Sequence, residues 1–253
     1  MSGNGSRRFQ QIGLDRLVRL EWLKRTASLV LAGNDDPTIK STLQEDLGSF
    51  FRSPAVDVRG SLDKTITILQ RIWGSSPSEI SPLRTEGLEL LRRILPDEHA
   101  PIHWGMVMVV YPFWSSVATQ VGRLMRIQGS AAAAQVQRRM REQYGERETV
   151  SRRARYVLRS YLDWGVLQET GAPGTYCAGP SLTVKDLPLI AWLAEAALRS
   201  RANDAAPLRE LLESPSLFPF RLAPISPEQL ASLAPRLELL RHGLDDDLVM
   251  LRR

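Results

Sequence analysis

The stretch GERETVSRRARYVLRSYLDWGVL, residues 145–167, determines how the middle of the chain is organised. Its apolar residues recur every three or four positions, which is typical of an amphipathic helix. The spacing predicts a helix from Thr149, as the N-cap, to Trp164, with Gly165 as a left-handed C-cap. The stripe expected to face the core consists of Val150, Ala154, Val157, Leu158, Tyr161 and Leu162.

The opposite face of this helix is basic. It is expected to carry Arg152, Arg155, Tyr156 and Arg159, with Arg153 at its edge. Between positions 138 and 159 there are eight arginines against three glutamates, a local excess of five positive charges that equals the formal net charge of the 253-residue chain. Charge concentrated in this way favours a surface for a polyanion, although many basic helices are simply solvated.

The flanking segments complete a recognisable arrangement. Ser130 to Tyr144 is predicted to form a helix, and the residues Val166–Thr170 and Thr175–Ala178 read as two short strands around Gly-Ala-Pro-Gly. A helix, a short turn, a second helix and a hairpin predict a winged helix-turn-helix, whose second helix normally enters the DNA major groove. The candidate DNA-binding residues are Arg138, Arg139, Arg147, Ser151, Arg152, Arg155, Tyr156 and Arg159.

The remainder of the chain reads as helical, beginning with a predicted helix from Leu14 to Leu31. We therefore expect an all-α protein in three parts. Residues 10–128 form an N-terminal helical bundle, residues 129–184 form the winged helix-turn-helix with its small hairpin, and residues 185–253 form a helical C-terminal segment. The last residues are compatible with either a hairpin or a closing helix.

One segment is apolar enough to be compared with a membrane span. No firmly charged side chain lies between Glu98 and Arg123, and the segment contains WGMVMVVYPFW at residues 104–114. Gly105 and Pro112 interrupt it, and its second half is rich in serine, threonine and glutamine. These features predict a buried core helix bent at Pro112 rather than a membrane helix.

Metal and catalytic motifs are weak in this sequence. His99 and His103 have a spacing that can bind zinc on a helix, but Pro101 lies between them, so they are expected to be polar residues at a helix start. Asp245 to Asp247 read as a solvated turn rather than a cation site. No phosphate loop or catalytic constellation is recognisable, so we expect no cofactor, no metal and no enzymatic activity. The single cysteine, Cys177, fits a reducing cytoplasm.

The arrangement resembles a known family. Its parts are AAAAQVQRRMREQYG at residues 131–145, ETVSRRARYVLRSYLDWGVL at residues 148–167 and SPSLFPFRLAPISPEQL at residues 214–230, all after a helical bundle. Over roughly residues 14–235 the order of parts resembles the small helical DNA-binding protein of bacterial BREX (bacteriophage exclusion) defence systems, the BrxA family. The resemblance implies a non-enzymatic binder of double-stranded DNA, encoded beside a methyltransferase, an ATPase and a phosphatase-like protein. Only Ser151 and the arginines of the second helix carry over, by position.

Two other functions remain open from the residues alone. A winged helix can dock a protein instead of DNA, which would make the chain an adaptor within a multi-subunit complex. The bundle could also serve as the sensor or dimer domain of a transcriptional regulator. Double-stranded DNA, other defence subunits and a second copy of the chain are the partners that the sequence brings into consideration, and no membrane is among them.

Overall fold

The computed structural model describes residues 9–51, 58–75, 77–242 and 246–252. Within these residues helices dominate, as predicted. The eleven α-helices are α1 (Leu20–Leu31), α2 (Asp36–Leu47), α3 (Val58–Trp73), α4 (Ser81–Arg93), α5 (Ala100–Val110), α6 (Pro112–Gln128), α7 (Ala133–Tyr144), α8 (Glu148–Asp163), α9 (Leu187–Arg199), α10 (Leu208–Leu212) and α11 (Pro227–Leu233).

The expectation of an all-α fold with one small hairpin is confirmed only in that the fold is mostly helical, because three small sheets accompany the helices. The strands are β1 (Ser130–Ala132), β2 (Leu167–Glu169), β3 (Thr175–Ala178), β4 (Leu182–Val184), β5 (Ala205–Pro207), β6 (Phe220–Leu222), β7 (Leu237–His242) and β8 (Asp246–Leu251). The sheet orders are β1-β3-β2, β4-β6 and β5-β8-β7, and only the β4-β6 pair is parallel. Most of these strands have three or four residues, so they are too short to show an alternating apolar pattern in the sequence.

The C-terminal residues form the hairpin β7–β8, one of the two alternatives expected there. The strands pair antiparallel, with Leu239 opposite Val249. The turn predicted at Asp245 lies outside the described residues.

The first predicted helix is shorter than expected. It begins at Leu20 rather than Leu14, and Leu14 itself has a left-handed φ of 56°. The backbone N–H of Val18 donates instead to the Ser160 hydroxyl, 3.0 Å away, and Leu20 N–H donates to Asp163 Oδ2 at 3.3 Å. These bonds to α8 replace helical bonds, so the segment before α1 lies along α8 in a non-helical conformation.

The apolar segment forms two helices of the core. Every residue of α5 is buried, and α6 begins at Pro112 after Tyr111 has left the helical conformation. Proline is well tolerated in the first turn of a helix, so the expected bend at Pro112 is a break between two helices. Among the described residues, every helix is too short or too polar to cross a membrane.

Aromatic side chains join α5, α6 and α8 at the centre of the core. Trp104 packs its ring 4.8 Å from Tyr161 and 5.1 Å from Trp114, measured between ring centroids. Its indole N–H donates to the carbonyl of Ser216, which brings the C-terminal segment onto the same cluster. Core contacts therefore cross both predicted domain boundaries, and the division of the chain into three parts stays a prediction.

We expect Leu158→Ala to lower the free energy of unfolding by about 2–5 kcal/mol, the range for truncating a buried leucine. Leu158 is 1% exposed. Chemical denaturation measures the change, and Arg159→Ala on the exposed side of the same helix is the control, with an expected change within about 0.5 kcal/mol. Equal effects of the two substitutions would contradict the orientation of α8.

The core also holds an uncharged histidine. His103 is fully buried in α5, and its Nδ1 accepts a hydrogen bond of 3.1 Å from the indole N–H of Trp73. Burial lowers the pKa of His103 to about 3, and the positive charges of His99 and Lys24 act in the same direction. A histidine in an unfolded chain has a pKa near 6.5. Between pH 6.5 and about pH 3 the unfolded state therefore binds a proton at this histidine that the folded state does not bind.

Stability should therefore fall as the pH decreases from about 6.5 towards 3, by at most about 1.4 kcal/mol per pH unit from this group. The measurement is the free energy of unfolding against pH for the native chain and for His103→Gln. We expect the variant, whatever its absolute stability, to show the shallower slope. Parallel curves would mean that His103 takes up protons in the folded protein.

Candidate nucleic-acid interface

A tight turn joins the two basic helices. Gly145 ends α7 with φ at +97°, a value that favours glycine, and the chain starts α8 only three residues later. Helix α8 begins at Glu148, with Arg147 at the N-cap position and no side-chain capping bond. The prediction that Thr149 caps the helix is therefore wrong, because the short turn starts the helix before Thr149.

A three-stranded sheet borders the two helices. Strand β1 enters α7 directly, and β2 and β3 follow α8 as a hairpin with β3 in the middle of the sheet. Ala131 lies opposite Tyr176, and Gln168 lies opposite Cys177. Strand β1 thus pairs with β3 from Cys177 up to Thr175 beside the loop, while the loop 171–174 is exposed.

The apolar side of α8 is fixed by hydrogen bonds as well as by packing. The hydroxyl of Tyr161 donates to the Trp114 carbonyl at 2.8 Å, and burial raises the pKa of Tyr161 well above its usual range, so the phenol keeps its proton. The indole N–H of Trp164 donates to the Val18 carbonyl at 2.9 Å. Five residues of the predicted inward stripe are buried, and Leu162 is partly buried against the core.

The opposite side of α8 presents three arginines. Arg152, Arg155 and Arg159 are exposed, and among the described residues none of their guanidinium groups has a hydrogen-bond acceptor or an acidic partner. At 100° per residue their positions fall within about 60° of the helix circumference. Like charges three and four residues apart repel one another by a few tenths of a kcal/mol, roughly, so this stripe costs stability in the free protein.

The acid that follows the stripe along the helix is engaged elsewhere. Asp163 follows Arg159 by four residues, a spacing that favours an ion pair. Its carboxylate instead lies 3.1 Å from the guanidinium of Arg19. Partial burial raises the pKa of Asp163, and the positive charge of Arg19 opposes this change. Arg159 therefore does not form the ion pair with Asp163 that their spacing favours.

The other predicted arginines are placed around this stripe. Arg138 and Arg139 are exposed on α7 and share Glu142, at 3.6 and 3.0 Å respectively. Arg147 lies in the turn, where its guanidinium donates to the Tyr144 carbonyl at 3.1 Å. All three are exposed, and the ion pairs of Arg138 and Arg139 contribute little and exchange readily.

Ser151, one of the candidate DNA-binding residues, does not lie on the exposed face. It is 9% exposed, and its hydroxyl accepts a hydrogen bond of 2.9 Å from Arg141. Arg141 also pairs with Glu146 at 2.9 Å, so it links the two helices across the turn. The neighbouring Tyr156, also a candidate, is half-buried at the edge of the stripe.

The structure places Arg141 and Arg153 in surroundings that the sequence pattern does not indicate in full. Arg141 is a structural link, and the only signal for this was its position one helical turn before the end of α7. Arg153 is half-buried, and its Nε is enclosed without an acceptor among the described residues. Its place next to the inward stripe indicated an edge position, but not what lies beside it.

Because the Ser151 hydroxyl accepts from a charged group, Ser151→Ala should lower the free energy of unfolding by about 1.5 kcal/mol. Thermal or chemical denaturation measures this loss. If Ser151 were instead an exposed donor to a ligand, the substitution would leave stability unchanged. Ser41→Ala, at an exposed position of α2, is the matched control.

No family model, curated protein or solved structure matches the chain.

Proposed function

We propose that this chain is a non-enzymatic double-stranded-DNA-binding protein that uses α8 as the groove-facing helix of a winged helix-turn-helix. The order α6, β1, α7, α8, β2, β3, with β1 beside β3, supports this interpretation, since it is the order of elements in winged helices. The helix that directly follows the turn, here α8, is the one that such proteins place in the major groove.

The observation that carries the proposal is the exposed stripe of Arg152, Arg155 and Arg159, which has no acid partner among the described residues. Several arginines elsewhere are ion-paired, for example Arg93 with Asp186 at 2.6 Å and Arg201 with Glu210 at 2.8 Å. Aligned, unneutralised guanidinium groups are suited to phosphate oxygens and to the acceptor edge of guanine.

The surrounding residues extend the proposed contact along the DNA backbone. Arg138 and Arg139 on α7, and Arg147 in the turn, would meet flanking phosphates. The hairpin loop has no basic side chain, and Glu169 at the end of β2 is exposed. The hairpin therefore adds little electrostatic attraction, and the two helices supply most of the affinity.

The cellular setting follows from the resemblance to the BREX DNA-binding proteins, which shares the order of parts along most of the chain. We propose that the protein belongs to a bacterial anti-phage system of this kind, where other defence subunits are partners. Sequence-tolerant binding suits such a role, because phosphate contacts carry no base information.

If the stripe neutralises phosphates, the logarithm of DNA affinity should fall linearly with the logarithm of salt concentration. Three phosphates alone give a slope of about −2.7, from about −0.9 per phosphate. Fluorescence anisotropy on a random-sequence duplex at several salt concentrations measures the slope. Salt-independent binding would contradict phosphate anchoring and favour the adaptor function.

Single substitutions Arg152→Ala and Arg155→Ala should each weaken binding without lowering the melting temperature, because both side chains lie outside the core. Each should reduce the salt slope by about one if it contacts phosphate. Loss of a bidentate guanine contact would instead cost about 1–3 kcal/mol and only on preferred sequences.

Arg92→Ala is the charge-matched control, because Arg92 is exposed on α4, away from this helix pair in the chain. We expect it to bind the same duplexes as tightly as the native chain. If the double variant Arg152→Ala/Arg155→Ala binds as well as Arg92→Ala, the DNA site lies elsewhere.

A further inference from the structure

An acidic residue lies at the end of the arginine stripe of α8. Asp163 follows Arg159 by four residues, which places it about 40° further round the helix and about 6 Å further along the axis. The carboxylate thus continues the line of the stripe. A negative charge in the last turn of a helix is unfavourable with respect to the helix dipole. Without a partner, this acid would repel a DNA phosphate or pair with Arg159.

The segment that precedes α1 is fixed along the last turn of α8. The backbone N–H of Val18 donates to the Ser160 hydroxyl at 3.0 Å. The backbone N–H of Leu20 donates to Asp163 Oδ2 at 3.3 Å. Arg19 lies between these two anchored residues, and the backbone therefore brings its side chain to the end of the stripe.

The guanidinium of Arg19 is held by the carboxylate and by two aromatic rings. One of its nitrogens lies 3.1 Å from Asp163 Oδ1. Its central carbon lies 5.5 Å from the ring centroid of Trp22 and 5.7 Å from that of Phe50. A guanidinium over an aromatic ring gains a cation–π attraction that does not depend on the carboxylate. The position of Arg19 therefore does not rest on the ion pair alone.

The charges around Asp163 leave Arg19 as its counter-ion. Partial burial raises the pKa of Asp163, the positive charge of Arg19 lowers it, and the negative charge of Glu21 raises it. Glu21 itself is paired with Lys24 at 2.7 Å. In the part of the chain that the structure describes, Arg19 is the cation that forms an ion pair with this carboxylate.

We propose that Arg19 is a positioning residue of the DNA interface, which binds Asp163 and thereby keeps Arg159 free for a DNA phosphate. This inference rests on the proposed DNA-binding function and adds a residue that lies outside α8. Without Arg19, Asp163 and Arg159 have the four-residue spacing at which opposite charges on a helix pair. Asp163 would then compete with DNA for Arg159 within the same chain.

The first experiment measures the affinity of the full-length chain for duplex DNA by fluorescence anisotropy at several salt concentrations. Arg19→Gln should weaken binding about two- to fivefold, because an exposed ion pair must be broken before Arg159 can bind a phosphate. The salt slope should become shallower by up to about 0.9, since the carboxylate offsets one charge of the stripe. The double variant Arg19→Gln/Asp163→Asn lacks the competing carboxylate and should bind DNA like the native chain.

Arg25→Gln is the matched control. Arg25 on α1 pairs with Asp46 of α2 at 2.7 Å, and its side chain is 47% exposed compared with 42% for Arg19. We expect Arg25→Gln to bind DNA like the native chain, because its acidic partner is not on α8. Arg19→Lys should also bind like the native chain, because it keeps a cation beside Asp163.

Two results of the DNA titrations would overturn the proposal. In the first, Arg19→Gln binds DNA as tightly as Arg25→Gln. In the second, the double variant binds as weakly as Arg19→Gln, which would mean that Arg19 contacts DNA itself.

A measurement without DNA separates this proposal from the proposed function. NMR titration of the carboxyl carbon gives the pKa of Asp163 in the native chain and in Arg19→Gln, each with and without Arg159→Gln. We expect Arg159→Gln to raise this pKa more in the Arg19→Gln background, where Arg159 has become the partner of the carboxylate. An equal effect in both backgrounds would overturn the proposal even if the chain binds DNA. If the native chain binds no duplex but the difference is found, the DNA-binding function fails, whereas the control of the Asp163–Arg159 pair by Arg19 stands.

Discussion

The packing of Trp104 against Tyr161 and Trp114 is the contact on which the rest of the structure depends. Trp104 also packs edge-on against Trp164, Phe218 and Phe220, so that one buried ring on α5 contacts five others. Aromatic pairs of this kind contribute about 0.5–1.5 kcal/mol each beyond the area they bury. Because Tyr161 and Trp164 belong to α8 and its C-cap, the bundle determines how far the helix can rotate about its own axis.

A fixed rotation of α8 divides its surface into three sides with different properties. The apolar side faces the bundle, and the stripe of Arg152, Arg155 and Arg159 must then face outward. Arg153 falls between these two sides and lines a cavity beside the start of α8. A small rotation of α8 would bury charge on one side and expose Val150 and Val157 on the other, so packing in the core maintains the geometry of the stripe.

The sequence predicts α8 and the hairpin after it well, because each has a strong local signal in apolar spacing or glycine. It does not predict the β4–β6 pair or β5 beside β8, since those strands are short and their partners are distant along the chain. Nor does it predict that Leu14 to Arg19 leave the helical pattern, because the acceptors that replace the helical bonds are on α8. Ser151 shows the same limit for the site: a short polar residue one position from the stripe is buried by a neighbouring helix.

Some arginines that have an acidic partner hold elements of the fold together, whereas the arginines of the stripe have no acidic partner among the described residues. Glu195 on α9 is fully buried and binds Arg199 at 2.7 Å and Arg236 at 2.9 Å, and Arg236 also pairs with Glu86 of α4. Such a cluster holds α4, α9 and the residue before β7 together, because removing one member leaves the others desolvated and unpaired. Arg141 has a similar role between α7 and α8. The arginines of the stripe have no such acid among the described residues, so their charge is available to an anion from outside.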